Sequence, residues 1–147
     1  MTTETPCPLC VPQLPGLLVA LPDCRVIDAQ DTHYPGFTRI VWHQHAREMT
    51  DLSGGERDRL MTTVWLVEQV MRETLNPDKI NLACLGNQVP HIHWHVIPRW
   101  RDDRSFPGSV WTPQPDSQAA IARRQVVRSR LADYHQALVQ RLSSLTT

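Results

Sequence analysis

Histidine recurs at every second position in His91-Ile92-His93-Trp94-His95-Val96-Ile97-Pro98, and no other stretch constrains the fold of this chain as strongly. The residues between the histidines are β-branched or aromatic, the types that suit a pleated surface. In an extended strand, side chains at i, i+2 and i+4 leave from one face. The pattern therefore predicts three imidazoles on one side and Ile92, Trp94 and Val96 on the other. At a rise of about 3.3 Å per residue, the backbones of His91 and His95 stand roughly 13 Å apart, too far for one metal ion to collect all three rings directly. Neighbours can share a site, and the two ends of the row are expected to do different work.

At 147 residues the chain has the length of one domain, and a domain of this size buries about 70% of its unfolded surface without needing a covalent staple. Fifteen basic and fifteen acidic residues cancel, so no global charge draws the protein to nucleic acid or to an anionic membrane. From Asp116 onward five arginines face two aspartates, a local excess that reads as a solvated helix face rather than a nucleic-acid site. Met1 to Cys10 lacks the basic start and apolar core of a secretory leader, and no apolar run reaches membrane-spanning length. The expectation is a cytoplasmic protein. In that compartment Cys7-Pro8-Leu9-Cys10 is read as metal-binding or redox-active rather than as part of a disulfide framework.

Residues 1–16 carry four prolines and a glycine, which predicts a loop around the Cys-x-x-Cys knuckle. Leu17 to Leu21 and Cys24 to Ile27 read as strands joined by a turn at Pro22-Asp23, and Asp28 to Gly36 as a connecting loop. Phe37 to Trp42 reads as a strand that runs out at His43-Gln44-His45. Ser53-Gly54-Gly55-Glu56 fits a capping box. The helix it predicts carries Leu60, Val64, Val67, Met71 and Leu75 as one apolar stripe and stops at Asn76-Pro77. Lys79 to Leu85 is strand-like, Gly86-Asn87 a turn, and Val89 onward the histidine strand, a pattern that suggests an antiparallel hairpin. Trp100 to Pro115 is expected to be an ordered loop held by aromatics. Asp116 or Ser117 would cap one long C-terminal helix with Val127, Leu131, Tyr134, Leu138, Leu142 and Leu145 as its stripe.

A neutral imidazole near physiological pH can act as base, acid, nucleophile or metal ligand. A row of them beside a turn suits a phosphorus centre: one ring attacks, another donates to an oxygen, and backbone N–H groups steady the rest. Asn87 and Gln88 sit where amides would orient substrate or leaving group, or simply form the turn.

The segment His91 to Ile97 resembles the histidine triad, His-φ-His-φ-His-φ-φ, of the HIT family of nucleotide hydrolases and transferases, and the likeness extends over most of the chain. It implies an α+β fold, an antiparallel sheet of about five strands with a packed helix, here followed by a C-terminal helix. The whole would be a single HIT-like domain over 1–147, with 1–16 as a zinc-knuckle loop and 116–147 as a helical extension. The resemblance further implies a homodimer and a nucleotide substrate, with no nucleic-acid or membrane partner. The middle histidine, His93, would attack the α-phosphate of a dinucleoside polyphosphate or nucleoside phosphoramidate, and water would open the nucleotidyl-histidine. His95 would contact the phosphate or leaving group, with Asn87 and Gln88 at the phosphate and Asp28 and Asp31 at the ribose. A nucleotidyl transferase, or a zinc-structured nucleotide- or partner-binding protein with little turnover, are the alternatives. One branch of the family binds zinc through a Cys-x-x-Cys, a histidine after an early strand and the first triad histidine. Cys7, Cys10, His45 and His91 match in order and imply one structural Zn2+ per chain, with His43 competing for the place of His45. One departure stands out: where such proteins commonly carry a fourth active-site histidine after a Pro-Gly-like turn, this chain has Phe37. Orientation of the nucleophile must then come from elsewhere, from backbone carbonyls or from His91.

Overall fold

The computed structural model describes residues 6–146, so the first five residues of the expected knuckle loop and the last residue of the C-terminal extension lie outside the described residues. Five strands form one antiparallel sheet: β1 (Leu17–Ala20), β2 (Cys24–Asp28), β3 (Thr38–Trp42), β4 (Lys79–Ala83) and β5 (His93–Arg99), in the order β1-β2-β3-β5-β4. Three helices accompany them, α1 (Gly54–Leu75), α2 (Gln118–Arg128) and α3 (Leu131–Ser143). No described helix is long and apolar enough to cross a membrane.

The capping box forms as its residues dictate. Ser53 Oγ accepts the Glu56 N–H at 3.3 Å, and the Glu56 carboxylate accepts the Ser53 N–H at 2.7 Å. At the other end Asn76 takes a left-handed conformation (φ 49°) and α1 stops before Pro77. Leu60, Val64, Val67, Met71 and Leu75 are all at most 1% exposed. They pack against Val26, Ile40 and Val96 from the sheet and Ile92 just before β5, each such side chain contributing about 1.5–3 kcal/mol relative to exposure. Trp94 joins this side, its indole N–H directed at the Met49 sulfur. The period-2 reading of the histidine stretch is thus correct in its consequence: α1 covers one face, and the imidazoles are left on the other.

Register across that other face fixes which side chains stand together. Val41 pairs with His93 and Arg39 with His95, while on the outer side of β3 Arg25 pairs with Val41 and Ile27 with Arg39. The turn into β3 requires glycine. Gly36 has φ +88°, and a Cβ there would lie 2.8 Å from Leu75 Cδ1.

Strand ends shift by one or two residues, and two larger differences from the sequence expectation stand out. Regular β5 begins at His93 rather than at Val89, and the link from β4 is the segment 84–92 rather than a tight turn. His91 N–H turns back to the Val89 carbonyl, and Ile92 bonds to the backbones of Ala46 and Trp42 instead of to β4. The C-terminal helix is two helices. Ser117 caps α2 as expected, accepting the Ala120 N–H at 3.0 Å, but Ser129 Oγ bonds back to the Val126 carbonyl at 2.6 Å and competes with the helical ladder. The break lets Tyr134, Leu138 and Leu142 of α3 reach the α1 core, where all three are fully buried. The arginines off the stripe are engaged within the fold: Arg123 grips Asp102, Arg124 grips Asp116, and Arg128 reaches the Thr32 carbonyl.

Candidate active site and metal centre

The three triad histidines have different hydrogen-bond partners. His91 is fully buried and directs Nε2–H to the Trp42 carbonyl at 2.6 Å, which leaves the Nδ1 lone pair free to bind a cation. That atom lies 3.5 Å from Cys7 Sγ, 3.4 Å from Cys10 Sγ and 3.3 Å from His45 Nδ1, and Cys10 Sγ is 3.5 Å from His45 Nδ1. All four donors fall within 4.8 Å of one another. A tetrahedral zinc with bonds of about 2.0–2.3 Å needs its donors roughly 3.3–3.8 Å apart, so the cluster has the right size and the right chemistry for one ion. His45, not His43, brings its ring to the cluster; His43 is exposed, and its backbone N–H bonds to the Asp23 carbonyl. The knuckle is tied to the sheet by Arg25, 7% exposed, whose guanidinium donates to the carbonyls of Leu9 and Val11 at 2.6 and 2.7 Å.

His93 is half-buried and directs Nδ1–H to the carbonyl of His91 at 2.6 Å. The tautomer is thereby set: Nε2 carries the lone pair, available to an electrophile. His95 packs its ring edge-on to His93 at 4.9 Å between centroids. It accepts the Nε–H of Arg39 at Nδ1 (3.3 Å), so its own proton sits on Nε2. Burial, the neighbouring His93 and Arg39 together push the His95 pKa down to about 3, and the ring is a neutral donor near pH 7.

Phe37 forms the wall behind His95. Its ring is 1% exposed and meets His95 edge-on at 5.4 Å. It has no hydrogen bond to give, and the polar partner of the triad on this side is Arg39, which no sequence pattern had singled out. Trp111, half exposed, closes the same corner, 5.2 Å from the His95 centroid and 6.4 Å from that of Phe37. The loop that delivers Trp111 is held by aromatics, as expected, and also by an ion pair, with the Arg99 guanidinium over the Tyr34 and Phe106 rings. Arg99, 1% exposed, makes two bonds to the Asp103 carboxylate and reaches Asn81, Ser105 and the Gly108 carbonyl. A buried guanidinium is tolerated where it is paired and hydrogen-bonded, and here all three nitrogens are engaged.

The remaining expected residues make no hydrogen bond to the triad among the described residues, although Asp31 acts electrostatically on Arg39. Asn87 and Gln88 are exposed on the 84–92 connection, and among the described residues no hydrogen bond ties their amides to His93 or His95. Asp28 accepts the Gln30 N–H, with His135 Nε2 at 3.8 Å from its other oxygen. Asp31 accepts the N–H groups of His33 and Tyr34. One oxygen of each aspartate is thus used by its own turn.

The model of the HIT domain matches residues 16–102, more than half of the chain. The chain belongs to the HIT family. Among curated relatives, the bis(5'-nucleosyl)-tetraphosphatase [asymmetrical] of Schizosaccharomyces pombe is 27% identical over 93 residues, 60% of this chain and 51% of that protein. This HIT chain spans about half the length of that relative. A histidine triad protein from Marinobacter aquaeolei superposes with a TM-score of 0.65 at 29% identity, covering 83% of this chain and 89% of the other. A Zn-bound histidine triad family protein from Mycobacterium smegmatis shares the fold at 21% identity, with a TM-score of 0.51 and coverage of 82% and 86%.

Proposed function

We propose that this HIT protein is a nucleotide hydrolase that acts at an α-phosphate through a nucleotidyl-His93 intermediate. The observation that carries the reading is the 2.6 Å bond from His93 Nδ1–H to the His91 carbonyl, because it aims a lone pair outward from Nε2 on a rigid strand. In the first half-reaction Nε2 attacks phosphorus, a P–N bond forms, and the bond from phosphorus to the leaving group breaks. Charge developing on the imidazole is shared with the His91 carbonyl through the retained Nδ1–H. In the second half, water attacks phosphorus, the P–N bond breaks with its electron pair returning to Nε2, and the protons of water pass to the nucleotide product and solvent. His95 Nε2–H donates to a phosphate oxygen in both halves. Asn87 and Gln88 at the phosphates, and the second oxygens of Asp28 and Asp31 at the ribose, complete the assignment.

Cys7, Cys10, His45 and His91 are assigned to one structural zinc. An ion held there would fix the knuckle loop to the segment just before β5 and, with four protein donors, would serve a structural role rather than bind substrate. The edge strand β4 ends beside the exposed Leu82 and Leu85, and we assign this edge to a second copy of the chain; a monomeric mass in sedimentation at micromolar concentration would contradict that.

The reading is tested with purified protein, diadenosine tetraphosphate and adenosine 5'-phosphoramidate. AMP is the expected product, accompanied by ATP from the first substrate and ammonia from the second. No release of AMP from either would refute it. The S. pombe relative, named a tetraphosphatase, supports the choice of the first substrate.

A further inference from the structure

We propose that Arg39 holds His95 in its Nε2–H form and supplies the positive charge that receives an anionic leaving group, so that the site selects polyphosphate over amine leaving groups. The proposal rests on His93 as the nucleophile. Arg39 rises from β3 directly across the ladder from His95, on the imidazole face, two pairs along from Val41 and His93. Its Nε–H points at His95 Nδ1 at 3.3 Å. A guanidinium only donates, so this bond has one direction, and His95 has one proton to offer, on Nε2.

Three observations give Arg39 a second task. The group is half-buried, yet among the described residues no carboxylate lies within ion-pair distance of it, and its only hydrogen bond uses Nε. The nearest acidic influence is Asp31, whose Oδ1 is already committed to the His33 and Tyr34 N–H groups. A half-buried cation without a counter-ion is costly unless an anion visits it. Second, the guanidinium carbon lies over the Phe37 ring, 5.1 Å from the centroid, which holds it against the wall of the site. The residue that departs from the family pattern is therefore the platform for the charge. Third, the leaving group departs on the side of phosphorus opposite to His93, and the ring next along the face is His95, with Arg39 bonded to it.

The chemistry of departure follows. When a P–O bond to a polyphosphate breaks, the electron pair leaves on oxygen as a stable anion, and a hydrogen bond and a fixed cation suffice to stabilise it. When a P–N bond to an amine breaks, nitrogen must take a proton as it leaves. His95 in the neutral Nε2–H form gives a hydrogen bond, but surrendering that proton would leave an imidazolate. The pair is built for the anion.

The experiment compares kcat/KM for diadenosine tetraphosphate and adenosine 5'-phosphoramidate in wild type, Arg39→Leu and Arg39→Lys, with melting curves for each. Wild type is expected to favour the tetraphosphate by about tenfold or more. Arg39→Leu should lose about 10³-fold on the tetraphosphate and about tenfold on the phosphoramidate, since removing one preorganised donor to developing charge costs about 10²–10³-fold. Arg39→Lys keeps the charge and should restore part of the tetraphosphate rate. Nitrogen chemical shifts of His95 should report a single Nε2–H tautomer in wild type and a mixture in Arg39→Leu. Equal losses on both substrates, a wild-type preference for the phosphoramidate, or an unchanged His95 tautomer in Arg39→Leu would overturn the proposal while leaving the nucleophile in place. Failure of wild type on both substrates would remove His93 as the nucleophile, and this proposal with it. Should Arg39→Leu not fold, the wild-type preference and Arg39→Lys carry the test.

Discussion

His93→Ala is expected to lower nucleotide turnover by about 10⁴-fold or more, the scale on which removing a nucleophile acts when no other group can take its place. The neighbours cannot substitute. His91 has its Nε2–H in the Trp42 carbonyl and its Nδ1 among the metal donors, and His95 Nδ1 is occupied by Arg39. The variant should fold, because His93 is only half-buried and its loss removes one hydrogen bond, to a carbonyl at the start of β5. Nucleotide affinity should stay within about tenfold of wild type, since the imidazole forms its bond to phosphorus only as the reaction proceeds. Steady-state kinetics and calorimetry on one preparation measure both quantities. Wild-type turnover by His93→Ala would remove the residue from the mechanism.

The second large effect concerns the metal donors. Protein purified without chelator is expected to contain about one zinc per chain, and Cys10→Ser to contain little. Loss of the ion should lower the melting temperature markedly, because it leaves two thiols and two imidazoles crowded without a cation and the proline-rich loop dependent on its bonds to Arg25. Catalysis should suffer too, by roughly 10–100-fold, as when an outer partner of a site is removed. The route is short. His91 offers its ring nitrogen to the proposed ion and its carbonyl to the His93 N–H, so freeing the ring should loosen the bond that orients the proposed nucleophile. Acid should reproduce the loss reversibly, since thiolates and neutral imidazoles bind metal only while deprotonated. Metal analysis below about half an equivalent in wild type, or unchanged metal in Cys10→Ser, would contradict the assignment.

The parts of this site that are legible in the sequence are those written in local spacing. Alternation in the triad gives the face of the sheet, and Cys-x-x-Cys gives two thiols on one turn that join the four-donor cluster. Ser53 and Glu56 give the start of α1. What spacing does not carry is the partner across a ladder. Arg39 is an unremarked residue in an apolar strand until β3 is set beside β5 and the register brings it to His95. The same holds for Arg99, whose partners Asn81, Asp103, Ser105 and Gly108 come from both the neighbouring strand and the following loop. Trp111 reaches His95 from the same loop, 16 positions further along the chain. The choice between His43 and His45 likewise turned on which ring the end of β3 sends toward the start of β5. The split in the C-terminal helix depended on one serine bonding to its own backbone, a competition that an apolar stripe does not reveal.

Covalent capture of the intermediate bears most directly on the account. Wild-type protein mixed with diadenosine tetraphosphate, quenched within the first turnover under alkaline conditions that preserve phosphoramidate bonds, and weighed intact should carry one adenylyl group per chain. Peptide mapping should place it on His93, and His93→Ala should carry none. An adduct on another residue, or an adduct that persists in His93→Ala, would contradict the mechanism.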